Sequence, residues 1–175
     1  MIISVEKAKE LVSFPESWTD EKIRMKLLAV EQTIRAYTNN NFQDRGYRRT
    51  ADIVGGLFIV EALTPFEVGD TVQISETSLN KGLFTVESAE DSTFTVEEAV
   101  KDENAVLVTK ISYPADVVQC CVDLMEWAVG FAGKVGIKSE TLSRHSVTYE
   151  DSGAMFMGYP ASLLGCLKPY RKCRC

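Results

Sequence analysis

Histidine is almost absent from this chain: of its 175 residues only His145 is one. A lone imidazole cannot supply the several that most zinc hydrolase sites use, and there is no His-Glu-x-x-His pair. Cysteine is missing from the first 119 residues; the five present are Cys120, Cys121, Cys166, Cys173 and Cys175. An odd number, with two adjacent in an apolar stretch, is no disulfide framework. Cys120 and Cys121 read as small hydrophobes of a helix. Cys173 and Cys175 lack the second ligand pair that a closed zinc site needs. No apolar run approaches the roughly 20 residues of a membrane span. The start, "MIISVEKAKELVSF", carries acids and lysines where a secretory signal would be apolar. A soluble protein made in a cytoplasm is expected.

The common catalytic signatures are missing too. No Gly-rich loop leads into Lys and Ser or Thr, and "VGG" at Val54 to Gly56 has nothing else that a phosphate cradle needs. No Gly-x-Ser-x-Gly elbow occurs. His145 sits in an alternating segment, where Arg144, Ser146 and Thr148 do not converge on it as a triad would. A lone histidine in polar surroundings is more often a contact residue than a general base. The pairs Glu97–Glu98 and Glu150–Asp151 are adjacent, so in strands they point to opposite faces. No catalytic residue, metal or cofactor is expected.

A basic excess is also lacking. Nineteen Lys and Arg face twenty-five Asp and Glu, a formal charge of −6, which gives no global field to attract nucleic acid. "RGYRR", Arg45 to Arg49, is a local basic patch expected to pair with neighbouring acids. The end reverses the sign: Lys168, Arg171, Lys172 and Arg174 follow one another with no acid between them.

What is present divides into helix, sheet and helix. Val5, Ala8, Leu11 and Val12 repeat at helical spacing until Pro15. Thr19 can cap a second helix, which Asp20 and Glu21 favour at its positive end. Ile23, Leu27, Val30, Ile34 and Tyr37 form its stripe, and Asn39 to Asn41 stop it. From Ala51 to Ile111 the texture becomes Val, Thr, Ile and Phe, with turns every eight to twelve residues. "LFIVEAL", "TVQIS", "LFTVES", "TFTVEE" and "AVLVTKI" read as five short strands, and Val72 with Ile74, Phe84 with Val86, and Phe94 with Val96 share faces. Closure into a small barrel or sandwich would protect their edges. Helix returns at Pro114, with Val117, Cys121, Leu124, Ala128 and Phe131 on one stripe. Pro160 to Leu167 reads as a last short helix.

The expected fold is therefore α+β: a small α-helical bundle of three to four helices with an inserted five-stranded small β-barrel or sandwich. The bundle would comprise residues 1–46 and 112–175, and the insertion residues 47–111, joined through "QDRGYRR" and "SYP". A nucleic-acid-binding module that uses the β insertion is the alternative reading. It would rest on Phe58, Phe66, Phe84 and Phe94 as stacking platforms.

The helical part carries a resemblance. Its residues are Lys138-Ser139-Glu140, then Ser146-Val147-Thr148-Tyr149, then the Pro-led stretch Pro160 to Leu167. Pro169-Tyr170-Arg171-Lys172 with Arg174 closes the pattern. With "FPESWTDEKI" and "YTNNNF" near the start, this resembles the head–tail connector (adaptor) proteins of long-tailed bacteriophages, over residues 4–45 and 112–175. The family commonly closes with an aromatic after the last arginine, where this chain has Cys175. The β insertion resembles a small module that recurs in phage structural proteins.

The resemblance implies a non-enzymatic structural protein of the virion neck, assembled in the host bacterial cytoplasm. It implies a homo-oligomeric ring, expected to be dodecameric, between the portal protein and the next neck (stopper) protein, with DNA passing through its channel. Partner binding would fall on Arg144, His145, Ser146, Val147, Thr148 and Tyr149, a strand able to add to a neighbour's edge. It would also fall on Lys168, Tyr170, Arg171, Lys172 and Arg174, where cations flank one buriable ring.

Overall fold

The chain's β texture begins earlier than its first apolar run. In a computed structural model, which describes residues 1–131, 139–142, 145–148 and 155–173, strand β1 spans Gln43–Val54. It is followed by β2 (Leu57–Val60), β3 (Thr71–Ser75), β4 (Gly82–Glu90), β5 (Thr93–Val96) and β6 (Glu103–Ile111). These form a closed barrel in the order β1-β2-β5-β4-β3-β6, every pairing antiparallel. Closure comes from β1 meeting β6, with Ala51 opposite Val106 and Arg49 opposite Val108. A closed sheet has no unpaired edge to offer another chain.

This overturns the expected helical bundle with a five-stranded insert. The fold is mostly β, built on a six-strand closed antiparallel barrel. The strand that sequence reasoning missed is β1, and "QDRGYRR", expected as a connection, is its first half. Polar and charged side chains hide that half, and the register shifts between Asp44 and Arg48. Gly46 donates its N–H to Asp44 Oδ1 there (3.0 Å), a local bulge that breaks alternation. Only past Thr50 do Ala51 and Ile53 enter the core.

The barrel interior is filled by alternate residues of all six strands, among them Ile53, Phe58, Val72, Ile74, Val86, Phe94 and Val108. Phe58 and Phe94 face each other across β2 and β5 and stack at 4.5 Å, while Phe66 meets Phe94 edge-on at 5.1 Å. Two turns at one end clamp each other. Asn80, buried, donates to Lys101 O (2.9 Å) and accepts from Lys101 N (2.8 Å). Beside it the Glu103 carboxylate accepts from the Thr77 hydroxyl, Ser78 N (2.6 Å), Leu79 N (3.3 Å) and Asn80 Nδ2 (2.9 Å). Hydrogen bonds from Thr77 and then Ser78 hold that carboxyl below its ordinary range.

The barrel falls within one compact unit, Asn41–Tyr113, and Met1–Asn40 with Pro114–Cys175 form the other. In the second unit α1 (Val5–Leu11) is capped by Ser4, whose hydroxyl accepts from Lys7 N (3.2 Å). Helix α2 (Asp20–Thr38) is capped by Thr19 through Lys22 N (3.3 Å). It buries Ile23, Leu27, Val30 and Ile34. Helix α3 (Ala115–Gly130), with Pro114 as its N-cap, buries Val117, Cys120, Cys121, Leu124, Met125 and Ala128, and α2 and α3 pack together. Trp127 stacks on Phe131 at 4.4 Å and touches Tyr159 at 5.4 Å.

Strands β7 (Ser139–Leu142) and β8 (His145–Thr148) pair antiparallel, with Leu142 opposite His145. Strands β9 (Met155–Phe156) and β10 (Tyr159–Pro160) make a second small hairpin. Pro160 therefore belongs to a strand, and the helix expected over 160–167 is displaced. Turns occupy 161–164, and a 3-10 helix runs from Gly165 to Tyr170 with Pro169 inside it. No helix among the described residues is long and apolar enough to cross a membrane.

Candidate partner-docking site

The C-terminal segment is held by its backbone, and the holding groups sit where α2 ends. Asn39 takes the left-handed conformation (φ 48°, ψ 36°), which asparagine tolerates better than most residues. Its carboxamide then donates to the carbonyls of Lys172 (3.4 Å) and Cys173 (3.2 Å). The Asn40 carboxamide, almost fully buried, donates to Tyr170 O (3.2 Å). Lys172 N donates to Thr38 O (2.8 Å), which satisfies one of the carbonyls that a helix end leaves open. Leu164 and Leu167 are fully buried just ahead of this clamp.

The side chains of the same segment are treated differently. Tyr170 donates its hydroxyl to Asp116 Oδ2 on α3 (2.9 Å), and that bond, with some burial, holds the phenol above its ordinary range. Lys168, Arg171 and Lys172 remain exposed and make no ion pair among the described residues. The Arg171 guanidinium lies over the Tyr37 ring (5.2 Å), and Tyr37 meets Phe156 edge-on at 5.3 Å. Together Ala36, Tyr37, Asn39, Phe156, Lys168, Arg171, Lys172 and Cys173 line a cleft of about 620 Å³. Its walls are aromatic and its rim carries the cations.

Such a cleft can accept an anionic group while covering apolar surface. The thiols in this unit behave differently from one another: burial, and then the Glu31 carboxylate, push Cys121 up to about 12, whereas Cys166 and Cys173 are exposed. Among the described residues no three His, Cys, Asp or Glu side chains converge as metal ligands do.

The expected partner-binding residues separate into groups. Lys168, Arg171 and Lys172 come together on one rim. Tyr170, expected to cover area on a partner, bonds Asp116 of its own chain through its hydroxyl. His145, Ser146, Val147 and Thr148 form β8, one edge of which is taken by β7; their side chains, with Arg144, Tyr149 and Arg174, lie outside the described residues. Sequence reasoning missed Tyr37, Asn39, Asn40, Asp116 and Phe156 as parts of the site. The run of three asparagines was the available signal, since a helix stop needs only one.

The four phenylalanines expected as stacking platforms for a nucleic acid do not stand on the barrel surface. Phe58, Phe66 and Phe94 are buried inside it, and Phe84 packs partly buried against the same core. Arg48, read as part of a basic patch, donates to Thr109 Oγ1 (3.0 Å) and Gln43 Oε1 (3.4 Å). The unit Asn41–Tyr113 holds six Lys and Arg against thirteen Asp and Glu, a net of −7. Comparison of the chain with models of known protein families and with curated protein sequences finds no match in either.

Proposed function

We propose that this chain is a structural assembly protein, the head–tail connector (adaptor) protomer of a long-tailed bacteriophage. It works in the virion neck as a ring, dodecameric to match the portal, between the portal protein and the next neck protein. DNA passes through its channel without sequence-specific contacts. The observation that carries this reading is the division of labour in the C-terminal segment. Its backbone is clamped at Tyr170, Lys172 and Cys173 by the end of α2, while Lys168, Arg171 and Lys172 are left facing out. Ordering a cationic segment in advance reduces the entropy lost when an acidic partner surface meets it. The motifs around Ser146 to Tyr149 and Pro169 to Lys172 supply the phage identity. The acidic barrel also suits a passage that must not grip phosphates.

Size-exclusion chromatography with light scattering tests this, on the full chain and on a variant truncated after Leu167, each with and without a portal protein. The full chain is expected to form a complex of defined mass and the truncated one to fail. A truncated chain that joins the portal as well as the full one overturns the docking role.

A further inference from the structure

A loop elsewhere in this same sequence has chemistry that matches the cleft at the end of α2. Residues 61–70 connect β2 to β3, and hydrogen bonds tie the connection to the barrel. Thr64 N donates to Asp91 O (2.7 Å), Glu67 N to Asp70 Oδ2 (2.9 Å), and Gly69 N to Val86 O (2.8 Å). Asp70 is itself paired with Lys110 at 2.6 Å. At the centre Phe66 is buried against Phe94. With Phe66 anchored inward, the residues on either side are held outward. Leu63 is 71% exposed and Val68 is 68% exposed, the two most exposed large hydrophobics among the described residues. Glu61 and Glu67 stand beside them, both exposed and neither in an ion pair among the described residues.

A loop that displays two aliphatic side chains between two carboxylates matches an aromatic-walled cleft whose three rim cations form no ion pair among the described residues. Covering Leu63 and Val68 removes apolar surface from water, and the rim supplies charges of the opposite sign to Glu61 and Glu67. The charge balance points the same way: the barrel unit carries −7, and the other unit, with thirteen Lys and Arg against twelve Asp and Glu, carries +1.

We propose that the loop Glu61–Asp70 of one copy seats in the cleft bounded by Tyr37, Phe156, Lys168, Arg171 and Lys172 of a second copy. This names a sister copy as the partner of the docking site, and it rests on the ring reading given above. A contact between unlike surfaces of identical chains is head-to-tail, so its repetition closes a ring or extends a filament.

A charge-exchange experiment on the full chain tests it by sedimentation and light scattering. One variant carries Lys168→Glu, Arg171→Glu and Lys172→Glu; the other carries Glu61→Lys and Glu67→Lys. All five positions are exposed, and circular dichroism checks that the fold is kept. Each variant alone is expected to self-associate at least about tenfold more weakly than wild type, because loop and cleft then repel. Mixing the two restores association, since every loop again meets a cleft of opposite charge. Leu63→Ser weakens association as well, and does so at high salt too. Variants that associate like wild type, a mixture that stays monomeric, or a wild type monomeric at millimolar concentration each overturn the contact. If the cleft variant loses only the portal and keeps self-association, the sister-copy contact is refuted and the docking reading stands. If self-association behaves as described but no neck component binds, the adaptor reading is the one that fails.

Discussion

Replacing Asn39 by Gly and Asn40 by Ala should release the C-terminal segment without unfolding the helices. Glycine is chosen at 39 because φ is +48° there, and alanine would add backbone strain to the loss of the amide. The pair of changes removes the side-chain hydrogen bonds to the carbonyls of Tyr170, Lys172 and Cys173. The Asn40 bond is nearly buried and should contribute about 1 kcal/mol; the two exposed bonds of Asn39 together contribute about as much again. A loss of about 2 kcal/mol raises the local opening constant roughly 30-fold. The amide of Lys172, bonded to Thr38 O, reports that opening directly. Its hydrogen exchange, followed by NMR, should quicken by that factor while amides in the middle of α2 keep their protection. In the triple charge reversal at Lys168, Arg171 and Lys172 the amide at 172 should keep its wild-type protection factor, because the clamp is made by backbone and asparagines. An unchanged rate in the asparagine variant, or lost protection in the charge variant, would refute this account of how the segment is held.

Three other outcomes follow from the geometry. Phe94→Ala removes a ring that is stacked on Phe58 and met edge-on by Phe66, so urea unfolding should show a loss of about 3–5 kcal/mol; a loss below about 1 kcal/mol would contradict a packed barrel core. The Glu103 carboxyl is held below its ordinary value of 4.5 by Thr77 and Ser78. Its contribution to stability is therefore complete above that value and disappears as pH falls through the folded one, so wild type should lose more melting temperature on acidification than Glu103→Gln. Parallel pH profiles would count against the clamp. In a thiol-reagent assay at neutral pH, Cys166 and Cys173 should react at once and Cys120 and Cys121 only on unfolding, since burial raises both of the latter; rapid labelling at Cys121 would show that α3 is not buried as described.

Strands β2 to β6 were legible because each carries alternating apolar residues, such as Val72 with Ile74 and Phe94 with Val96, bounded by turn residues. Strand β1 was not, and its absence from the reading changed the fold class. The Arg48 and Arg49 side chains bond along the barrel wall and Arg45 is exposed, so a strand can carry all three, but in sequence they look like a basic connection. Helices α2 and α3 were marked by Thr19 and Pro114 as well as by their stripes, and α1 by its stripe alone. The clamp was hidden for another reason. An asparagine that stops a helix and one that also grips a distant carbonyl are identical in sequence, and Asn40 and Tyr170 are 130 residues apart. Lys168, Arg171 and Lys172 stood out because an acid-free run in an acidic chain is visible without a structure. Tyr37 and Phe156, which complete the cleft, belong to segments with no local signal to join them. Pro160 misled because proline at a helix start and at a short strand edge look alike.

Negative-stain electron microscopy of a portal protein mixed with the full chain addresses the central claim most directly. The account predicts a ring of this protein stacked on the portal, and bare portals when Lys168, Arg171 and Lys172 are reversed to glutamate. Portals left bare by the wild type, or decorated equally by the reversed variant, would contradict it.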